Sequence, residues 1–120
     1  MYEERLKAMP RMDVFTRRLS GTAAGATLRI ESLALSRDRQ IVLRNIECVN
    51  DTAAMASVQY YIRNGPYYHD IARSPTGFAH TSWRVTCKVR VPEGWMFGAY
   101  FTGLAATEIV DVFLTGEIED

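Results

Sequence analysis

Two histidines, His69 and His80, are the chain's entire supply of imidazole for acid–base or metal chemistry. Tyr67-Tyr68-His69-Asp70 sets an imidazole beside a carboxylate, the residue types a general base and its orienting group would use. In an extended segment neighbouring side chains point to opposite faces, so His69 and Asp70 are not expected to pair. A metal enzyme of the jelly-roll kind needs several histidines and a carboxylate around one ion, and no His-x-His is present. Nucleophiles fare no better. There is no Gly-x-Ser-x-Gly elbow, and Cys48 and Cys87 do not form a redox or zinc-type pair. Gly21-Thr22-Ala23-Ala24-Gly25 lacks the Gly-Lys-Ser/Thr of a phosphate loop. Glu117, Glu119 and Asp120 read as a solvated end rather than a calcium site. The expectation is a protein that is not an enzyme, with no catalytic residues, no metal and no cofactor.

Aromatic side chains are the remaining candidates. Tyr60, Tyr61, Tyr67, Tyr68 and Phe78 cluster around one turn and its flanks. Tyr60 shares a strand face with Val58 and Ile62, which marks it as core. Tyr61, Tyr67 and Tyr68 are the candidates for contact with a sugar or another protein. A second group stands near the start of the chain. Met9, Met12, Val14 and Phe15 are apolar in a segment otherwise dense in charge.

The elements that must position these residues read as strands. From Thr81 to Phe101 the sequence reads as strand, tight turn, strand, a hairpin around which the rest is organised. Trp83, Val85, Cys87, Val89 and Val91 alternate with Arg84, Thr86, Lys88 and Arg90, giving one face for a core and one for water. Pro92-Glu93-Gly94 supplies the turn. Further strands are expected at 26–35, 40–49, 55–63, 67–72 and 108–116, with the polar run Ser36-Arg37-Asp38-Arg39 as a hairpin tip. The predicted fold is all-β: an antiparallel β-sandwich, jelly-roll-like, with an extended N-terminal arm. Residues 1–20 form the arm and 21–120 a single domain. Two readings of the arm stand side by side, a mobile tail or a segment that orders on a neighbouring subunit. The second predicts that deleting residues 1–20 weakens attachment without unfolding the sandwich.

Composition sets the outer limits. The 120 residues suit one domain, and 48% hydrophobic with 23% charged is a globular balance. Lys+Arg and Asp+Glu both number 14, so no excess positive charge argues for nucleic acid as partner. No apolar run is long enough to span a membrane, and the charged start lacks the apolar core of a signal peptide. Cys48 and Cys87 are then expected as reduced, buried thiols, with an inter-strand disulfide the lesser alternative.

From Ile41 onward the order of signals resembles a known group. One strand runs Ile46-Glu47-Cys48-Val49-Asn50 into Asp51-Thr52, and the next carries Val58-Gln59-Tyr60-Tyr61-Ile62. A later strand reaches Val91-Pro92-Glu93-Gly94-Trp95; Thr102-Gly103 joins the last two strands, and the final one ends in Thr115-Gly116-Glu117. This is similar to the small β-sandwich virion proteins of tailed bacteriophages, notably capsid decoration (cement) proteins. The resemblance implies a structural protein made in the host bacterial cytoplasm and placed on the capsid surface of the virion. There it would clamp neighbouring copies of the major capsid protein, self-associating as a homotrimer, with Met9, Met12, Val14, Phe15, Tyr61, Tyr67 and Tyr68 at its interfaces. Two other classes compete. One is a carbohydrate- or protein-binding module, such as a tail or fibre component, using Tyr61, Tyr67, Tyr68 and Trp95. The other is a cupin-like metal enzyme using His69 and His80.

Overall fold

The fold comes from a computed structural model, which describes residues 12–35 and 39–119. Among the described residues the elements are β1 (Met12–Thr22), β2 (Thr27–Ala34), β3 (Gln40–Asn50), β4 (Ser57–Asn64), β5 (Tyr67–Arg73), β6 (Ser82–Val91), β7 (Met96–Thr102) and β8 (Ile109–Glu119). They form two four-stranded antiparallel sheets, ordered β1-β8-β3-β6 and β2-β7-β4-β5. The pairs β4·β5, β3·β6, β2·β7 and β1·β8 nest inside one another. The chain is thus one long hairpin, doubled back at β4–β5 and rolled into a two-sheet jelly roll. The all-β sandwich expected from alternation is the fold observed.

Alternation sorts the faces for a simple reason. A sheet packed on one side only must bury every second residue. In β4 the inward residues Val58, Tyr60 and Ile62 are buried; in β7 they are Phe97, Ala99 and Phe101; in β8, Val110, Val112 and Leu114. Ile46 and Cys48 of β3 complete the facing layer. Tyr60 stacks on Trp83 at 5.0 Å between ring centroids, and its hydroxyl donates to the Trp83 carbonyl at 2.9 Å. Burial pushes that phenol far above its ordinary value, so it remains a donor. Cys48 and Cys87 are both free thiols. Cys48 is fully buried, while Cys87 is half-buried with its Sγ 3.5 Å from the Leu43 carbonyl.

Two connections differ from expectation. The Pro92-Glu93-Gly94 turn is tight, with the Trp95 amide donating to the Pro92 carbonyl at 3.2 Å and Gly94 at φ 84°. Yet β6 pairs with β3, whereas β7 pairs with β2 and β4. The turn therefore carries the chain from one sheet to the other, and residues 81–101 are not a hairpin. β2 and β3, expected as a hairpin, also lie in different sheets and do not pair; residues 36–38 of the expected tip lie outside the described residues. Periodicity reports which face a residue takes and carries no information about which strand lies alongside. Consecutive pairing does occur at β4–β5, where Asn64 pairs with Tyr67 across Gly65-Pro66 and Gly65 adopts φ 58°. A two-residue hairpin loop demands positive φ there.

The N-terminal segment also differs. Residues 12–22 are an edge strand, paired one for one with 109–119. Phe15 is 5% exposed and belongs to the core. A boundary between residues 20 and 21 would fall inside β1, so the described part of the expected arm is built into the sheet. Met9 lies outside the described residues, as does the side chain of Met12. The strand escaped notice because it carries Arg17 and Arg18 and few apolar residues, as edge strands do when charge discourages pairing with another chain.

One end of the sandwich is tied by a buried polar knot. Asn50 donates through Nδ2 to Glu108 Oε2 at 2.5 Å, and its Oδ1 accepts from the Thr52 amide at 3.0 Å. Glu108 Oε1 accepts from the Ala105 amide at 3.0 Å, and its carbonyl accepts from the Ala23 amide at 2.8 Å. Two connections are joined through side chains whose polar atoms are satisfied, which is what makes their burial tolerable, and the third is tied on through the Glu108 backbone. At the other sheet's irregularity, between Glu31 and Ala34, Ser32 Oγ accepts the Phe97 amide at 3.0 Å and so replaces a missing ladder bond.

Candidate functional site

Register alone assembles a site on the outer face of the β2-β7-β4-β5 sheet. Arg29 pairs with Tyr100, Tyr100 with Gln59, and Gln59 with Arg73, a row across all four strands. Two residues along on β2, β7 and β4, and three along on β5 where the register shifts, Glu31, Gly98, Tyr61 and Asp70 form the next row. Arg63, between Met96 and Tyr68, begins a third. Directly opposed residues share a face and their side chains touch, so arginines, tyrosines and carboxylates interleave.

Gly98 organises the middle row. The Tyr61 ring lies across it, so close that a methyl group on Gly98 would sit 2.2 Å from Tyr61 Cζ. With no side chain beneath, the ring lies flat and is 1% exposed. Its hydroxyl donates to Glu31 Oε2 at 2.8 Å and accepts from Arg29 Nη1 at 2.8 Å. Burial, then the Glu31 carboxylate, push this phenol up to about 12, so it stays protonated. The Arg29 guanidinium is held between two rings, 5.5 Å from the Tyr61 centroid and 5.0 Å from that of Tyr100. Arg63 grips Glu31 with two donors, Nε at 2.5 Å and Nη2 at 2.9 Å, and lies 5.9 Å from the Tyr68 ring. Asp70 accepts from Arg73 Nη2 at 2.9 Å and from Gln59 Nε2 at 2.7 Å.

These groups enclose an open cavity of about 430 Å³, lined by Arg29, Gln59, Tyr61, Tyr68, Asp70 and Arg73, with His69 alongside. Its volume falls within the range of roughly 300–1,000 Å³ typical of small-ligand sites. A second cavity, about 320 Å³, lies on the other sheet beside Phe113, whose ring meets Arg18 at 5.8 Å.

The structure divides the sequence candidates. Tyr61 and Tyr68 come together, their centroids 5.4 Å apart. Tyr68 is 56% exposed and offers its ring to the cavity; Tyr61, expected as an exposed contact, is buried beneath. Tyr67 is 72% exposed and, as the neighbour of Tyr68 in a strand, points to the opposite face. Val14 is 80% exposed on β1, whereas Phe15 is buried in the core and not available to a partner. Trp95 packs, half-buried, against the core and does not line this cavity. His80 sits edge-on to Phe78 at 5.0 Å and likewise does not line it. Among the described residues no group of three or more His, Cys, Asp or Glu side chains converges. Sequence reasoning missed Arg29, Glu31, Gly98, Tyr100 and Arg73. For Arg29, Glu31, Gly98 and Tyr100 the signal was present in the outward alternation of β2 and β7, and for Arg73 in its place at the end of β5; it acquires meaning only once those strands are known to pair.

Two predictions arise here. Replacing Gly98 with Ala lifts the Tyr61 ring and breaks its bonds to Glu31 and Arg29. Overpacking of this kind costs about 1–3 kcal/mol, read as a lowered melting temperature and an altered tyrosine near-UV signal. The second concerns pH. The hydrogen bonds from Arg63, helped by that from Tyr61, hold the Glu31 carboxyl below its ordinary value of 4.5. A carboxylate whose pKa is lower folded than unfolded stabilises the fold fully above the unfolded value and loses that contribution as pH falls through the folded one. Melting temperature is therefore expected to fall as the pH drops below about 4.5, and less steeply in Glu31→Gln. Identical acid profiles for the two proteins would exclude Glu31 as a source of the pH dependence.

No protein-family model matches the chain, and no curated protein matches it. Solved structures align with the chain at low similarity. An alpha-L-fucosidase assignment from Bacteroides thetaiotaomicron aligns with TM-score 0.43 and 6% identity over 85% of this chain. The chain spans 22% of the length of that protein. The Drosophila NLP core, a structure described in terms of pentamer formation and histone binding, aligns with TM-score 0.42 and 13% identity, covering 86% of this chain and 96% of that one. At these values neither likeness bears on function.

Proposed function

We propose that this chain is a non-enzymatic β-sandwich recognition module that binds carbohydrate on the outer face of the β2-β7-β4-β5 sheet. The observation that carries the reading is the half-exposed Tyr68 ring standing over a cavity whose polar groups are held in place. A sugar offers an apolar ring face and a rim of hydroxyls. Tyr68 supplies a platform for the first, and Gln59, Arg29 and Arg73 supply hydrogen-bonding partners for the second. Tyr61 is fixed by two hydrogen bonds and Asp70 by bonds from two residues, so little side-chain freedom remains to be lost on binding. The test is a glycan array followed by titration of isotope-labelled protein. Amide shifts confined to 28–31, 59–73 and 98–100 on β2, β4, β5 and β7, and abolished in Tyr68→Ala, are the expected result. Silence across neutral and acidic glycans would overturn the reading.

A second reading is attachment to a phage capsid as a decoration protein. The strand order favours it, since jelly rolls recur in viral capsid domains as well as in lectins. So does β1, whose outer edge pairs with no strand among the described residues and which carries the exposed Val14. Fold alone does not assign function, so the discriminating observation is mass in solution. A trimer by light scattering, together with retention on capsids, supports assembly; a monomer that binds glycan supports the first reading.

A further inference from the structure

We infer that the sugar bound at this face is acidic, and that Arg29 is the residue that receives its carboxylate. This deepens the glycan reading above and rests on it. Three arginines, Arg29, Arg63 and Arg73, face two carboxylates on this sheet, Glu31 and Asp70. Both carboxylates are taken. Glu31 is gripped by two donors of Arg63 and by the Tyr61 hydroxyl, and Asp70 by Arg73 and Gln59. Arg29 is the cation left over. It donates one bond, to the Tyr61 hydroxyl, which is uncharged, and meets no other acceptor among the described residues.

A guanidinium presents five N–H donors in a planar fork that matches a carboxylate. Here that plane is steadied by the rings of Tyr61 and Tyr100 and borders the cavity beside Tyr68. The arrangement thus offers an oriented cation, attracted by Glu31 but bonded to no carboxylate, within reach of an aromatic platform. An uncharged sugar would leave it without a bonded carboxylate. A uronic acid places a carboxylate on the ring that Tyr68 would stack against, and satisfies both groups at once.

The experiment compares tetragalacturonate with its methyl ester, which keeps the shape and removes the charge. Titration calorimetry on the whole chain should show the free acid binding at least about tenfold more tightly, the least expected of a charge-assisted hydrogen bond. Arg29→Gln should erase that preference. Arg29→Lys, which keeps a cation and loses the planar fork, should retain only part of it. Equal binding of acid and ester would overturn the anionic assignment and leave the glycan reading standing. Binding of neither, with silence on the wider array, would overturn both. An oligoglutamate of equal charge binding as tightly as the tetragalacturonate would overturn the sugar. An undiminished preference in Arg29→Gln would place the carboxylate elsewhere.

Discussion

Removing residues 1–20 is expected to unfold the sandwich, not to trim it. The deletion takes with it the first nine residues of β1, every one of them in register with β8. It also removes Phe15 from the core. Truncating a buried phenylalanine to alanine costs about 3–5 kcal/mol, a large part of the roughly 5–15 kcal/mol that keeps a domain folded. The deletion adds the loss of a ladder and exposes the flank of β8, whose Val110, Val112 and Leu114 are core residues. Circular dichroism should show no cooperative melt, and the protein should aggregate through the uncovered edge. Phe15→Ala, a milder change, should remain folded with its melting temperature lowered by roughly 10 °C or more. A deletion variant that melts like the full chain would show that β1 contributes nothing to the fold.

Gly116→Ala should be the most damaging single methyl group in the chain. Gly116 lies between Phe15 on β1 and Leu43 on β3, where β3 slips register between Leu43 and Asn45. A Cβ there would stand 2.0 Å from the Val42 carbonyl oxygen and 3.1 Å from the Leu43 Cα. Both are backbone atoms in a central strand, so no rotamer change relieves the clash. Either β3 and β8 separate at the irregularity or the carbonyl rotates out of its ladder. Overpacking against movable side chains costs about 1–3 kcal/mol, and a rigid obstacle puts this change at or above the top of that range. A fall in melting temperature of about 10 °C is expected, against a smaller one for Gly98→Ala, where the obstacle is the Tyr61 side chain. If the order of the two effects is reversed, the close approach at Gly116 is not a tight constraint.

The two glycines separate two kinds of requirement. Gly116 serves the fold, because strands meet there backbone to backbone. Gly98 serves the site, because it makes room for the ring on which the Arg29–Tyr61–Glu31 contacts depend. Loss of binding with near-normal melting in a Gly98 variant would therefore be informative about recognition. The same result at Gly116 is not expected.

The class of fold and the facing of most strands are legible in the residue pattern. Alternation in 82–91, 96–102 and 109–114 identified the inward residues, because each strand buries one face and the polar partners between them cannot enter a core. It also assigned Tyr60 to the core on the strength of Val58 and Ile62. Which strands adjoin is visible in the folded chain alone. The pairing turned the apparent 81–101 hairpin into a crossing between sheets and drew residues 12–20 into β1. It also set Arg29 beside Tyr61, 32 residues away. The physical reason is that strand pairing is fixed by backbone hydrogen bonds, which every residue but proline makes alike, so a partner leaves little trace in side-chain pattern. Tyr61 shows the consequence. Its type and its outward position were legible; its burial was not, because that depends on a glycine 37 positions later and on an arginine from a strand it does not touch in sequence.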